Sequence, residues 1–326
     1  MIDTQRQAGA AAQAARAPVR GALWLRDFEW GATSVLVRKT GARVPYSKSV
    51  LEDTAAWFRF FFAVRAAAPE PGRPFSVFFY PDRVRPWYLI WPVLRLAGGR
   101  IVRDVNAADV VFQFEDATVC SATPPTAPAH ARWVNRHADD ISKSRVAAAS
   151  ERAFGHALAV DPRTYVGPMA VKSEANGAHD GRVAQGPCEP VPGLVYQRLI
   201  DNREPERGLV TDLRCVMVGG SPACVFIKRR PIVQRFANAN TEVELAAPEA
   251  VFSSAELDQI TACAADLRFE WGGLDVLRDR ADGRLYVVDA NKTDMGPPTA
   301  LPLAEKMRAA RILARRFREW AVRDKA

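Results

Sequence analysis

The residues best suited to chemistry lie late in the chain: Asp275 in Gly273-Leu-Asp275-Val-Leu-Arg278, then Asp289 and Asn291 in Leu285-Tyr-Val-Val-Asp289-Ala-Asn291. Both runs read as strands of one hairpin turned through Asp282-Gly283. Residues two apart on a strand share a face, so Asp289 and Asn291 project together while Tyr286, Val288 and Ala290 point oppositely. Pairing Arg278 with Arg284 sets Asp275 opposite Val287. Cross-strand partners point the same way, so the three oxygen-bearing side chains converge. Two carboxylates and an amide carbonyl are hard ligands suited to Mg²⁺, which keeps several waters and takes other ligands from phosphates. The bland alternative is the polar face of an edge hairpin, and a one-residue slip would turn Asp275 away.

A second set is cationic: Lys143, Lys172, Arg214 within Asp212-Leu-Arg214, and the run Lys228-Arg229-Arg230. Lys143 falls in the first turn of a predicted helix, where a cation is unfavourable unless an anion is near. Lys172 ends a predicted strand and precedes a loop containing Gly177 and Gly181, so backbone amides there can approach phosphate beside a point charge. Solvated surface charge is the ordinary alternative. Neither a Walker A run nor a GxGxxG run occurs, which disfavours a P-loop ATPase and a Rossmann dehydrogenase.

Strands and helices that position these residues can be read along the chain. Phe75–Tyr80 is β-rich and Pro81-Asp82 interrupts it. A helix follows with Trp87, Leu89, Ile90, Val93, Leu94 and Leu96 on its apolar face. Gly98-Gly99 stops it, and Asp109–Phe114 supplies a second strand, giving a βαβ-like unit. An earlier helix, Leu51–Ala68, carries Trp57, Phe58, Phe60, Phe61 and Phe62, which suit core packing better than a membrane-facing stripe. Residues 118–132, rich in Thr, Pro and Ala without a period, read as a linker. Beyond it come a helix over Ser142–Leu158, opened by Asp139-Asp140-Ile-Ser, then strands over Val166–Lys172, Leu194–Ile200, Asp212–Val218 and Ala223–Arg229. The closing helix, Leu303–Val322, puts Leu303, Met307, Ala310, Leu313, Phe317 and Trp320 on one stripe with arginines outside.

The 326 residues, 48% hydrophobic and 25% charged, fit a globular chain of about two domains. Net charge is +8, which suits an anionic partner. Five scattered cysteines without a CxxC pair suggest neither a disulfide framework nor a thiolate zinc site, which fits a reducing, cytoplasmic setting. The four histidines form no HExxH. The best apolar stretch, Trp87–Leu96, is too short and too interrupted for a membrane span. Residues 1–20 lack the apolar core of a secretory signal and read as a disordered tail.

Taken in order, these pieces resemble the ATP-grasp superfamily over roughly residues 134–300, with some similarity to the ribosomal-protein glutamate ligases. The resemblance implies that Lys143 and Lys172 bind nucleotide phosphates and that Gln197, Arg198, Leu199 and Ile200 form the adenine-binding hinge. It implies that Asp275, Asp289 and Asn291 hold Mg²⁺, and that Arg214 or Arg229 stabilises an acyl phosphate. A further Arg and Asn of the family fall on Arg235 with Asn238 or Asn240. Asp289 stands where the family commonly has Glu, and the loop after Lys172 has fewer glycines than usual. The implied fold is α/β (α+β): a disordered tail (1–20), a small N-terminal βαβ pre-ATP-grasp domain (21–120), a linker (121–135) and a two-lobed ATP-grasp domain (136–326). The implied activity is ATP- and Mg²⁺-dependent joining of a small-molecule or peptide carboxylate to an amine or thiol. A non-catalytic ATP-binding protein and a phosphotransferase are the alternatives. A basic nucleic-acid binder ranks last, because no recognised nucleic-acid module occurs. Nothing in the sequence decides between monomer and homo-oligomer. The loop Lys292–Pro298, directly after the metal strand, is either a substrate-touching segment or a rigid Pro turn.

Overall fold

The computed structural model describes residues 27–38, 42–178, 180–237 and 240–322. The expected tail over 1–20 and the candidate Asn238 lie outside them. Two compact units divide between Phe61 and Phe62. In the first, β1 (Phe28–Trp30), β2 (Ser34–Val37) and β3 (Ala42–Pro45) form an antiparallel meander. Helix α1 (Lys48–Ala66) starts there and straddles the division. Its Trp57 stacks on Phe61 one turn later, ring centroids 5.3 Å apart. The aromatics of α1 divide between environments: Phe60 is buried and Phe62 is exposed.

The second unit opens with β4 (Phe75–Pro81), α2 (Ile90–Ala97), β5 (Gly99–Ile101), β6 (Val110–Phe114) and β7 (Arg132–Val134). The strands form a parallel sheet in the order β5-β4-β6-β7. Phe75, Val77 and Phe79 are buried at every second position of β4, as a half-covered strand requires. Helix α2 stops because Gly98 takes a left-handed conformation, φ 78°, and its N–H closes on the Leu94 carbonyl. Part of the segment read as a linker is therefore a strand, since Arg132–Val134 pairs with β6. The rest lies along the chain that follows, with Cys120 N–H donating to Asp139 O and Ile141 N–H to Thr118 O.

Helix α3 (Lys143–Phe154) is capped by Ser142, whose Oγ accepts from Arg145 N–H, and it ends at Gly155. A small antiparallel sheet follows in the order β10-β8-β9, from β8 (Gly167–Ser173), β9 (Arg182–Gly186) and β10 (Leu194–Arg198). Met169, Val171 and Tyr196 form its core-facing side. The large antiparallel sheet comprises β11 (Arg203–Glu204), β12 (Leu209–Val218), β13 (Ser221–Pro231), β14 (Glu242–Ala246), β15 (Trp271–Arg278) and β16 (Leu285–Asn291). Its order is β14-β13-β12-β15-β16, with β11 on β12. Between β14 and β15 lie the short α4 (Pro248–Val251) and then α5 (Ser254–Asp266), which opens with a Ser253/Glu256 capping box. Residues of α3 and α5 join Leu213, Cys215, Leu274, Val276, Val287 and Ala290 in one apolar cluster.

The final hairpin departs from the expected register. Arg278 pairs with Leu285 and Val276 with Val287, and a shift beyond Val276 then sets Asp275 opposite Asp289 and Gly273 opposite Asn291. The physical reason is a β-bulge: two residues of β16 oppose one of β15, which turns Val288 and Asp289 to the same side. Tyr286 and Val288 consequently share a cluster with Leu277, Ala147, Leu158 and Ile200.

Helix α6 (Leu303–Ala321) buries Ala310, Leu313 and Phe317, whereas Leu303 is exposed. Its arginine side is engaged in part, while Arg315 and Arg316 are exposed. Arg318 donates to the carbonyls of Ala97 and Arg73, and Arg311 pairs with Glu70. Asn135, fully buried at φ 57°, clamps the start of β15: its amide donates to Trp271 O, and its oxygen accepts from the N–H groups of Glu270 and Trp271. All five cysteines are free thiols. Among the described residues no helix is long and apolar enough to cross a membrane.

Candidate functional site

Asp275 and Asp289 are direct cross-strand partners. Like charges so placed repel, and the surrounding elements supply the compensation. Arg214, opposite Asp275 on β12, brings Nε to 2.9 Å from its carboxylate, and Lys228 on β13 brings Nζ to 3.0 Å. Lys143 brings Nζ to 2.5 Å from Asp289. The lysine at the unfavourable end of α3 thus has its anion, and its residue is only 5% exposed. Burial pushes the Asp275 carboxyl upward, yet Arg214 and then Lys228 outweigh it and hold the group well below the usual carboxylate range.

Lys172 lies on the side of β8 opposite Met169 and Val171. Burial drives its ammonium below the ordinary lysine pKa, with the charge of Asp289 opposing and that of Lys143 reinforcing. Two lysines from different elements therefore share the field of one carboxylate. Asn291 sits two rungs from the acid pair, opposite Gly273, its Oδ1 accepting from Thr293 N–H at 3.1 Å. Among the described residues no group of three or more His, Cys, Asp or Glu gathers as a metal site. The candidate set is two carboxylates and one amide.

The residues expected to form the hinge lie on β10 and just beyond it. Gln197 is buried and its Nε2 has no hydrogen-bond partner. Arg198 N–H donates to Leu158 O at 2.8 Å. The Ile200 side chain joins Ala147, Leu158 and Tyr286 in an apolar cluster, and its carbonyl accepts from Arg235 at 3.0 Å. Leu199 lies between them, just beyond the end of β10. Glu174, in the loop after β8, accepts from Ser144 N–H at 3.0 Å at the start of α3. At Gly181 a Cβ would lie 2.5 Å from the Phe236 ring, so only glycine lets that ring approach.

Arg229 is not on the acidic face. Alternation along β13 turns Lys228 and Arg230 toward it and Arg229 away, to Glu204 at 2.9 Å and Glu244 at 2.6 Å. Arg230 pairs with Asp212 and donates to Asn240 Oδ1 at 3.1 Å. Parity carried unbroken from Val218↔Ser221 across the Gly219-Gly220 turn would put Arg229 on the face of Asp212 and Arg214; an irregularity between Val216 and Met217 shifts the pairing by one residue and brings Lys228 opposite Asp212 instead.

Asp294 completes the arrangement. It is 7% exposed, its backbone carbonyl accepts from Leu89 N–H at 2.8 Å, and its Oδ1 lies 3.3 Å from Arg214 Nη1. That contact is too misaligned to be a hydrogen bond, and Nη1 is buried without an acceptor. Gly273 makes room for both groups: a Cβ there would come within 2.5 Å of Arg214 Cδ and of Asp294 Oδ2. The neighbouring Lys292 is buried, with Nζ 3.0 Å from Ala138 O and 2.8 Å from Cys120 Sγ.

No family model matches the chain, and no curated protein matches it by sequence. Three solved structures illustrate what it is similar to. The ATP-grasp ligase PsnB, complexed with minimal precursor, Mg and ADP, has 14% identity and a TM-score of 0.46 over 73% of this chain and 96% of that one. The D-cycloserine synthetase DcsG has 14% identity and a TM-score of 0.44 over 76% of this chain and 100% of that one. D-alanine–D-alanine ligase from Bacillus anthracis has 14% identity and a TM-score of 0.45 over 77% and 98%. The solved structures that this mixed α/β chain resembles include ATP-grasp ligases.

Proposed function

We propose that the chain is an ATP- and Mg²⁺-dependent ligase that joins a carboxylate to an amine or thiol through an acyl phosphate. One observation carries the reading: Asp275 and Asp289 face each other with Asn291 two residues further along β16, ringed by Lys143, Arg214 and Lys228. Such a set fits a hard divalent ion together with an anion that brings charges for the lysines. Bound ATP supplies the transferable phosphoryl group. Lys143 and Lys172 hold its phosphates, and Asp275, Asp289 and Asn291 hold the Mg²⁺. Gln197, Arg198, Leu199 and Ile200 line the base site beside the apolar Ala147–Leu158–Tyr286 cluster. Arg214, with an unmet buried N–H, takes an oxygen of the acyl phosphate. Arg229, engaged on the opposite side, has no part in this scheme. Phosphoryl transfer needs positioning and charge neutralisation more than a protein nucleophile. The substrate is a small-molecule or peptide carboxylate, and the reducing interior of the cell suits the free thiols.

Calorimetric titration of Mg-ATP into the wild type and into the double variant Asp289→Ala, Asn291→Ala tests this. Magnesium-dependent binding in the first and its loss in a folded variant are expected. A folded wild type that binds no Mg-ATP would sink the reading.

A further inference from the structure

We propose that Asp294 is the proton acceptor for an amine nucleophile, an inference that rests on the ligase reading above. Arg214 supplies the first step. Its Nε and Nη1 face different carboxylates, Asp275 at 2.9 Å and Asp294 at 3.3 Å, and Nη1 has no acceptor. An oxygen of the acyl phosphate bonded to Nη1 would lie about 3 Å from it, which brings the electrophilic carbon beside Asp294.

The other two acids near the site have different commitments. Asp275 is shared by Arg214 and Lys228, and Asp289 is held by Lys143. Asp294 has only the long contact to Arg214 as an ion pair among the described residues. It is also fixed in place, by Leu89 N–H on its backbone carbonyl and by the room that Gly273 leaves over β15. Burial raises its carboxyl above the ordinary value, with Arg214 and Lys228 opposing, which makes it a stronger base than a solvated aspartate.

The chemistry balances. The amine arrives as an ammonium and gives one proton to the Asp294 carboxylate. Its freed electron pair forms the N–C bond to the acyl carbon, and the C–O bond to phosphate breaks with its pair on the departing oxygen. The second nitrogen proton leaves with the phosphate, and Asp294 releases its own to solvent.

Hydroxylamine separates this role from a structural one, because it is uncharged near neutral pH and needs no prior deprotonation. Wild type, Asp294→Asn and Asp294→Glu are incubated with Mg-ATP and the proteinogenic amino acids as carboxylate donors. The nucleophile is either hydroxylamine or the same amino acids. Hydroxamate, amide and ADP are measured, with melting temperature and Mg-ADP affinity as controls. Asp294→Asn should lower amide formation by about 100-fold or more while hydroxamate formation stays near wild type, and Asp294→Glu should recover part of the amide. Equal loss of both products, or of neither, overturns the proposal. So does a wild type that makes hydroxamate but no amide, since an amine is then not its nucleophile. A wild type that yields neither product nor ADP removes the ligase reading, and this proposal with it.

Discussion

On one side of the large sheet Leu213, Cys215, Leu274, Val276 and Val287 are buried against α3 and α5. On the other, Asp212, Arg214, Lys228, Arg230, Asp275 and Asp289 meet as ion pairs. The same strands make both sides, because alternate residues point opposite ways. Burial of the first set stabilises the sheet by roughly 1.5–3 kcal/mol for each large apolar side chain. Burial of the second costs desolvation that the mutual pairing offsets only in part. The proposed chemistry sits on the side where structure gains least, and the helix-covered side makes that arrangement tenable.

Three substitutions would break or sharpen this contrast. The largest effect should come from Arg230→Ala, which strands the buried Asp212 carboxylate and should cost about 3–5 kcal/mol, read by denaturant titration. Leu274→Ala, on the apolar side, should cost about 2–5 kcal/mol yet leave Mg-ADP affinity of the folded fraction unchanged. A change in that affinity would mean that the two sides are coupled through β15. Arg229→Ala should be nearly silent, since its partners are partly exposed: about 1 kcal/mol or less and no change in nucleotide affinity. A large loss of affinity there would return Arg229 to the site.

Much of this contrast was legible from alternation alone, including the strands that carry Lys172, Arg214, Asp275 and Asp289. Register was not. The bulge at Val288 carries no glycine to mark it, and Val287-Val288 looks like uninterrupted strand. The strands β1 to β3 are three or four residues long, too short for a period to show, and α5 is marked in sequence by little beyond the Ser253 and Glu256 of its capping box. Asn135 and Glu270 meet only through the tertiary fold, so no spacing announces them. Arg318 looks like part of a solvated face in sequence, because only the fold shows the carbonyls of Ala97 and Arg73 waiting for it.

That last contact bears on the order in which the protein can be made. Arg318 lies 221 residues beyond Ala97, whose carbonyl it caps, and the Phe317 ring sits 6.2 Å from that of Phe75. The parallel sheet leaves the ribosome well before the helix that covers it. Until α6 emerges, Phe75 and the end of α2 stand without their partner, and nascent chains that pause before residue 303 expose them to chaperones or to each other.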